Sequence, residues 1–196
     1  GPGFRFASEV LRDDIIKRYP LPLTMSVIEG ETGEAGLYPQ LSPRLEKTAR
    51  DIFALPWVEP ATHSYSHPFH WRNAEQAADD EANASEDYHL AIKGYRFDLT
   101  REIAGSAEYV TRRLLPEGKR TGIMLWTGNC VTTDNALRAA EAAQLLNMNG
   151  GDTTITNSRN SWTHIAGLGL MRDGRFQVFA PNQNENVYTN QRSEEH

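Results

Sequence analysis

Short apolar runs of strand length alternate with amphipathic stretches of helical period through most of this chain, and that alternation restricts the fold more than any other feature. A strand, a helix and a second strand in succession pair in parallel, with the helix crossing one face of the sheet. Ser8 stands as cap to a helix over 9–18, with Val10, Leu11, Ile15 and Ile16 on one side and Asp13, Asp14 and Lys17 on the other. Leu23-Thr24-Met25-Ser26-Val27-Ile28 reads as a buried strand, closed by the turn-forming stretch from Gly30 to Gly36. Ser42-Pro43 opens a helix over 43–54 with Leu45, Ala49, Ile52 and Phe53 inward, and Trp57-Val58 forms a short strand. Residues 72–97, acidic and rich in alanine, read as a long insertion or flexible arm, with room for a helical stretch, that carries little core. The pattern then resumes with a helix from its cap at Asp98 to Leu115, a strand over Thr121 to Trp126, and a helix over 134–146 capped by Thr132 or Thr133. Short strands follow at Leu145 to Met148, Thr153 to Thr156 and Gln177 to Ala180. The fold expected is α/β, a parallel sheet or barrel whose ligands sit at the C-terminal ends of the strands.

With 196 residues and 39% hydrophobic content, one domain spanning 1–196 is expected. A net charge of -6 with basic residues scattered among acids argues against nucleic acid as a partner, since neutralising phosphates takes clustered Lys and Arg. No apolar run approaches the roughly 18 to 20 residues of a membrane span. Gly1-Pro2 reads as an expression scar, so the missing leader carries no message about export. The single cysteine, Cys130, excludes an internal disulfide and a zinc site built on several cysteines.

Trp57-Val58 leads into Thr62-His63-Ser64-Tyr65-Ser66-His67-Pro68-Phe69-His70-Trp71, which holds three of the six histidines at the end of a strand. His63 and His67 are four apart, the spacing that recurs at zinc sites on a helical turn. Pro68 disfavours a helical conformation at His67, so the pair belongs on a loop. Spacing alone leaves two readings open: a divalent metal site, or polar loop residues with His63 hydrogen-bonded in the core.

The segment His63-Ser64-Tyr65-Ser66-His67-Pro68 resembles the second motif of the NodB-type polysaccharide deacetylases. "VIEGE" at 27–31, "THSYSHPF" at 62–69, "GYRFDLTREIAGSAEYV" at 94–110, "LWTGNC" at 125–130, "NMNGGDTTI" at 147–155 and "VFAPNQNENVYTN" at 178–190 resemble, more closely, the PelA-type deacetylase domains that modify the Pel exopolysaccharide. The resemblance implies a distorted or incomplete (β/α) barrel, a periplasmic location, and metal-dependent de-N-acetylation of an N-acetylgalactosamine-rich polymer in biofilm matrix synthesis. It carries His63 and His67 over as ligands of a divalent metal, zinc for preference, and names as partners the acetylated polysaccharide and other exopolysaccharide synthesis and export proteins. Such an ion polarises an acetamide carbonyl and lowers the pKa of an attacking water. The family also supplies an aspartate from a first motif, and none is found here. Asp13-Asp14 falls on the exposed side of its helix, so the first motif is expected upstream of residue 1, and no catalytic acid or base is assigned.

Tyr65 and Trp71, flanking the histidines, are candidates for stacking on a sugar. Trp126, at a strand end, either stacks on a sugar or packs in the core. Asp152, after Gly150 and Gly151, orients a histidine, binds sugar hydroxyls, or forms an Asx-type turn. His164 is a possible proton donor, but its surroundings do not match the family's later motif, and a structural or surface role ranks ahead. Cys130 is expected to pack, His70 and His89 to be exposed, and the polar stretch Pro181 to Asn190 to reach a glycan or close the fold. The rival to catalysis is a glycan-binding or partner-docking module on a deacetylase scaffold, which the missing aspartate motif favours.

Overall fold

The computed structural model describes residues 3–78, 88–148 and 168–179. Strands β1 (Leu23–Val27), β2 (Val58–Thr62), β3 (Ile123–Leu125) and β4 (Leu146–Met148) form a parallel sheet in the order β1-β2-β3-β4. The helical segments are α1 (Ala7–Val10 continued by Leu11–Ile16), α2 (Glu29–Thr32), α3 (Ser42–Phe53), α4 (Trp71–Ala78), α5 (the continuous run Arg101–Gly105, Ser106–Tyr109 and Val110–Leu114) and α6 (Asp134–Ala142). An α/β protein with interleaved helices is therefore what the alternation encodes.

The register sorts each strand into two faces, because successive side chains point to opposite sides. Val27 pairs with Thr62, Thr62 with Met124, and Ala61 with Ile123. On one face Met25, Val27 and Val58 pack with Ile16 of α1, with Ile52 and Phe53 of α3, and with Val110 and Leu114 of α5. Further along that face Met124 packs with Ile103 and Ala107 of α5 and with Leu137 and Ala140 of α6. The described crossover helices thus share one face of a sheet whose strand order never reverses.

β2 is longer than Trp57-Val58, and the local sequence explains why it tolerates Pro60. The His63 amide donates to Val27 O (3.0 Å), so alternate residues, Pro60 among them, turn their nitrogens toward β3. Pairing with β3 begins only at Ala61, so the N–H that proline lacks has no acceptor to miss. Three other expectations need correction. Helix α1 is capped from Phe6, whose amide donates to Glu9 Oε2 (2.8 Å), and not from Ser8; Val10 and Ile15 are exposed. The stretch after β1 opens with a helical turn, α2, and β1 itself is only half-buried. The stretch 72–97 does hold a helical segment, α4, but contributes more core than expected: Ala74, His89, Ile92 and Phe97 are all buried. Helix α5 does take its cap from Asp98, whose Oδ1 accepts from the Arg101 amide (2.6 Å), and α6 from Thr133, whose Oγ1 accepts from the Ala136 amide (3.1 Å).

β5 (Leu168–Arg172) and β6 (Arg175–Phe179) make an antiparallel hairpin. Its turn is Asp173-Gly174, both at positive φ (45° and 86°), the conformation that an Asp-Gly pair favours. Asn147 ties the hairpin to the sheet, accepting from the Val178 amide (3.0 Å) and donating to Phe176 O (3.1 Å). The strand expected at Thr153 to Thr156 lies outside the described residues. No described helix is long and apolar enough to cross a membrane.

Candidate functional site

His63 is the first residue past β2, at the C-terminal end of the sheet, and its Nδ1 lies 2.9 Å from Leu125 O at the end of β3. A carbonyl oxygen only accepts, so Nδ1 carries the proton and Nε2 keeps its lone pair. The His67 ring stands beside it, centroids 5.2 Å apart and planes at 59°. Between them the chain makes a tight loop in which Ser64 (φ 67°) and His67 (φ 51°) occupy the left-handed region, where residues other than glycine are uncommon. Ser64 Oγ accepts from the His67 amide (3.1 Å) and closes the turn. The pair does sit on a loop, as Pro68 requires.

Such a conformation persists only when its surroundings over-determine it. From one side the start of α2 reaches in: the Glu29 amide donates to Ser64 O (3.1 Å) and the Gly30 amide to Tyr65 O (2.7 Å). From another, α5 inserts Glu102, which has no exposed surface. Its Oε2 accepts from the amides of Tyr65 (3.0 Å) and Ser66 (2.9 Å); its Oε1 accepts from Tyr95 Oη (2.7 Å) and from Ser66 Oγ. Arg101 next to it forks onto Glu29 and lies 3.9 Å over the Tyr65 ring. From a third side the Leu90 amide donates to Ser66 O (2.7 Å), and Thr127 Oγ1 donates to Pro68 O (2.6 Å).

The sequence pattern does not single out Glu102. The one signal was that it shares the inward stripe of α5 with Ile103, Ser106 and Val110, where a carboxylate needs several donors to be buried.

Burial, and then the neighbouring His67, push His63 down to about 4, against the opposing hydrogen bond to Leu125. Burial lowers His67 as well. Both rings are neutral at pH 7 and offer lone pairs. The unfolded chain binds a proton at His63 near the ordinary value of about 6.5, whereas the folded chain resists until about 4. His63 therefore contributes stability that is full above pH 6.5 and is lost as pH falls toward 4. Urea denaturation at pH 7 and pH 4.5 should show wild type losing about 2 kcal/mol more than His63→Gln. An equal loss in both proteins would refute that assignment of the acid sensitivity.

The other candidates fall in different places. Trp71 and Trp126 are fully buried and meet edge to face, centroids 5.1 Å apart, with Trp71 Nε1 donating to Thr127 O (3.3 Å) and Trp126 Nε1 to Asn147 Oδ1 (3.2 Å). Tyr65 is 5% exposed, and its hydroxyl donates to Ala35 O (3.1 Å). Trp71 and Trp126 present no ring face for a sugar, because both lie in the core, whereas the Tyr65 ring is covered by the Arg101 guanidinium on one face and meets Tyr95 edge to face. Cys130 is buried, as expected, and His70 exposed. His89 is buried, contrary to expectation, with Nδ1 2.8 Å from Leu90 O and its ring beside Tyr95 and Phe97. Asp13 and Asp14 are held by Arg5, with Asp13 also bound to Arg12 and Lys17, and act as surface charges. Asp152, His164 and residues 181–190 lie outside the described residues.

No protein-family model, curated protein or solved structure matches the chain. The site's own chemistry remains. Two neutral imidazoles, one with its tautomer set by a backbone carbonyl, suit a borderline-soft divalent ion. Among the described residues no three His, Cys, Asp or Glu side chains are grouped to hold a metal. The histidines thus fit two positions of a coordination sphere, and no third described side chain joins them.

Proposed function

We propose that this chain is a deacetylase domain of the PelA type, acting in the periplasm on an N-acetylgalactosamine-rich exopolysaccharide with a divalent metal, zinc for preference, at His63 and His67. The observation that carries this reading is the His63 imidazole, its Nδ1 spent on the β3 carbonyl and its Nε2 left for a ligand, beside His67 at the strand ends. Four of the segments that carry the family resemblance, 27–31, 62–69, 94–110 and 125–130, meet around this loop through the hydrogen bonds of Glu29, Glu102, Leu125 and Thr127. Sequential strand order with helices on one face suits an arc of a (β/α) barrel.

The bound ion would supply Lewis acidity toward the acetamide carbonyl. The chain's own part is to present two neutral nitrogens on a loop that cannot relax, with the remaining ligand coming from outside the described residues. Calorimetric titration with zinc, beside acetate release from acetylated galactosamine oligomers, tests the reading. His63→Ala and His67→Ala should each abolish both. Zinc binding and acetate release that survive in both variants would overturn it.

The second reading is a glycan-binding module, or a docking module for other exopolysaccharide synthesis and export proteins, on the same scaffold. It is favoured by the want of a third ligand among the described residues. Saccharide binding without acetate release would select it.

A further inference from the structure

A cleft of about 690 Å³ opens between α4, the start of α6 and the β5–β6 turn, at the C-terminal side of β3 but apart from the two metal-ligand candidates. Its volume falls within the range of small-molecule sites. Three buried side-chain oxygens among the described residues have no hydrogen-bond partner, and two of them, Glu75 Oε2 and Thr132 Oγ1, belong to side chains that line this cleft. Thr132 is 1% exposed. Glu75 spends its other oxygen on Asn135 Nδ2, and rotation about its last torsion, which is soft, brings either oxygen to the cleft. The first turn of α6 adds the amides of Asp134 and Asn135, which the helix itself leaves over.

The charges select the ligand's chemistry. Carboxylates of Glu75, Asp134 and Asp173 line the cleft and oppose an anion, even at a helix N-terminus. Arg72 and Arg172 oppose a bare cation, and among the described residues no three ligating side chains are grouped here to hold a metal. Asp134 is already committed to Arg138 (2.7 Å) and Arg175 (2.8 Å). What remains is a wall of alternating donors and acceptors with one apolar patch, Met171, which is 64% exposed. Hydroxyl groups, each both donor and acceptor, satisfy such a wall, and the C–H face of a pyranose covers a methionine.

We propose that this cleft binds a saccharide unit, with the Glu75 carboxylate and the Thr132 hydroxyl hydrogen-bonded to its hydroxyl groups. That the unit belongs to the same polymer as the one presented to the histidines rests on the deacetylase reading. The two places are linked along the chain: α4 begins directly after His70, and Asn129 Nδ2 lies 3.0 Å from His70 Nδ1.

Titration of the whole chain with an N-acetylgalactosamine trimer in the presence of EDTA, followed by amide chemical shifts, tests the site without metal or turnover. Saturable shifts at residues 132–135 are expected, unchanged in His63→Ala and weakened at least tenfold in Thr132→Val and Glu75→Gln. Shifts confined to residues 63–70, no saturable shift at 132–135, or full affinity in both cleft variants would overturn the proposal. Zinc binding and acetate release are scored separately, so failure here leaves the deacetylase reading standing, and the reverse also holds.

Discussion

Glu102→Ala should destabilise the protein by about 3 to 5 kcal/mol and abolish zinc binding at His63 and His67. Glu102 is fully buried, and its two oxygens serve four donors, all in the described core: two amides of the histidine loop, Ser66 Oγ and Tyr95 Oη. Alanine leaves all four without an acceptor in a place that water does not reach. An orphaned buried donor costs about 1 to 3 kcal/mol, and partial relaxation brings the sum below simple addition. The loop also holds Ser64 and His67 at positive φ, so releasing Tyr65 and Ser66 lets both relax and carries His67 away from His63.

Single-donor variants separate bracing from bulk. Ser66→Ala and Tyr95→Phe each remove one donor and should cost about 1 kcal/mol, with zinc affinity little changed. Urea unfolding and zinc calorimetry on the three variants give the comparison. Glu102→Ala within 1 kcal/mol of wild type, with ordinary zinc affinity, would show that the loop holds itself.

The parts legible in the sequence were those written in local pattern. Helix α3, the caps at Asp98 and Thr133, and β1, β3 and β4 follow from period and capping residues, and the positions found differ by a few residues at the ends. The histidine pair was legible because its chemistry lies within one short segment. What escaped depends on contacts distant in the chain. Glu102 looks like any helical acid until the amides of residues 65 and 66 are brought to it, 36 and 37 positions away. The stretch 72–97 reads as poor in core because His89, Ile92 and Phe97 show no period, yet Phe69 and Leu90 backbone bonds fold residues 88–97 under the loop. Trp71 reads as a sugar platform because it flanks the histidines, and Trp126, at a strand end, reads equally as platform or core; only their mutual contact and burial show that both face inward. The Asp173-Gly174 turn was written in the sequence, and reading it would have added the strand before it.

Gly128→Ala should cost about 3 to 4 kcal/mol, far more than a change of one methyl group in a loop. Gly128 has φ of +59°, and a Cβ there would lie 2.3 Å from Phe69 O and 2.5 Å from Phe69 Cα. Backbone atoms cannot swing aside, so the end of β3 and the histidine loop must separate. That separation strains the hydrogen bonds from the Asn129 amide to Phe69 O (3.0 Å) and from Thr127 Oγ1 to Pro68 O (2.6 Å). Gly118 supplies the control, since it too has positive φ (+82°) but nothing within 4 Å of the added Cβ. Gly118→Ala should cost only the conformational share, about 1 kcal/mol. The difference between the two variants in urea unfolding therefore measures the close approach alone. Burial is the main cause of the lowered His63 pKa, so opening this junction to water should also raise that pKa toward its ordinary value, which NMR titration reads directly. Equal costs for the two glycines, with an unmoved His63 titration, would mean that β3 and the histidine loop are not held at van der Waals contact, and that the loop's geometry depends on Glu102 alone.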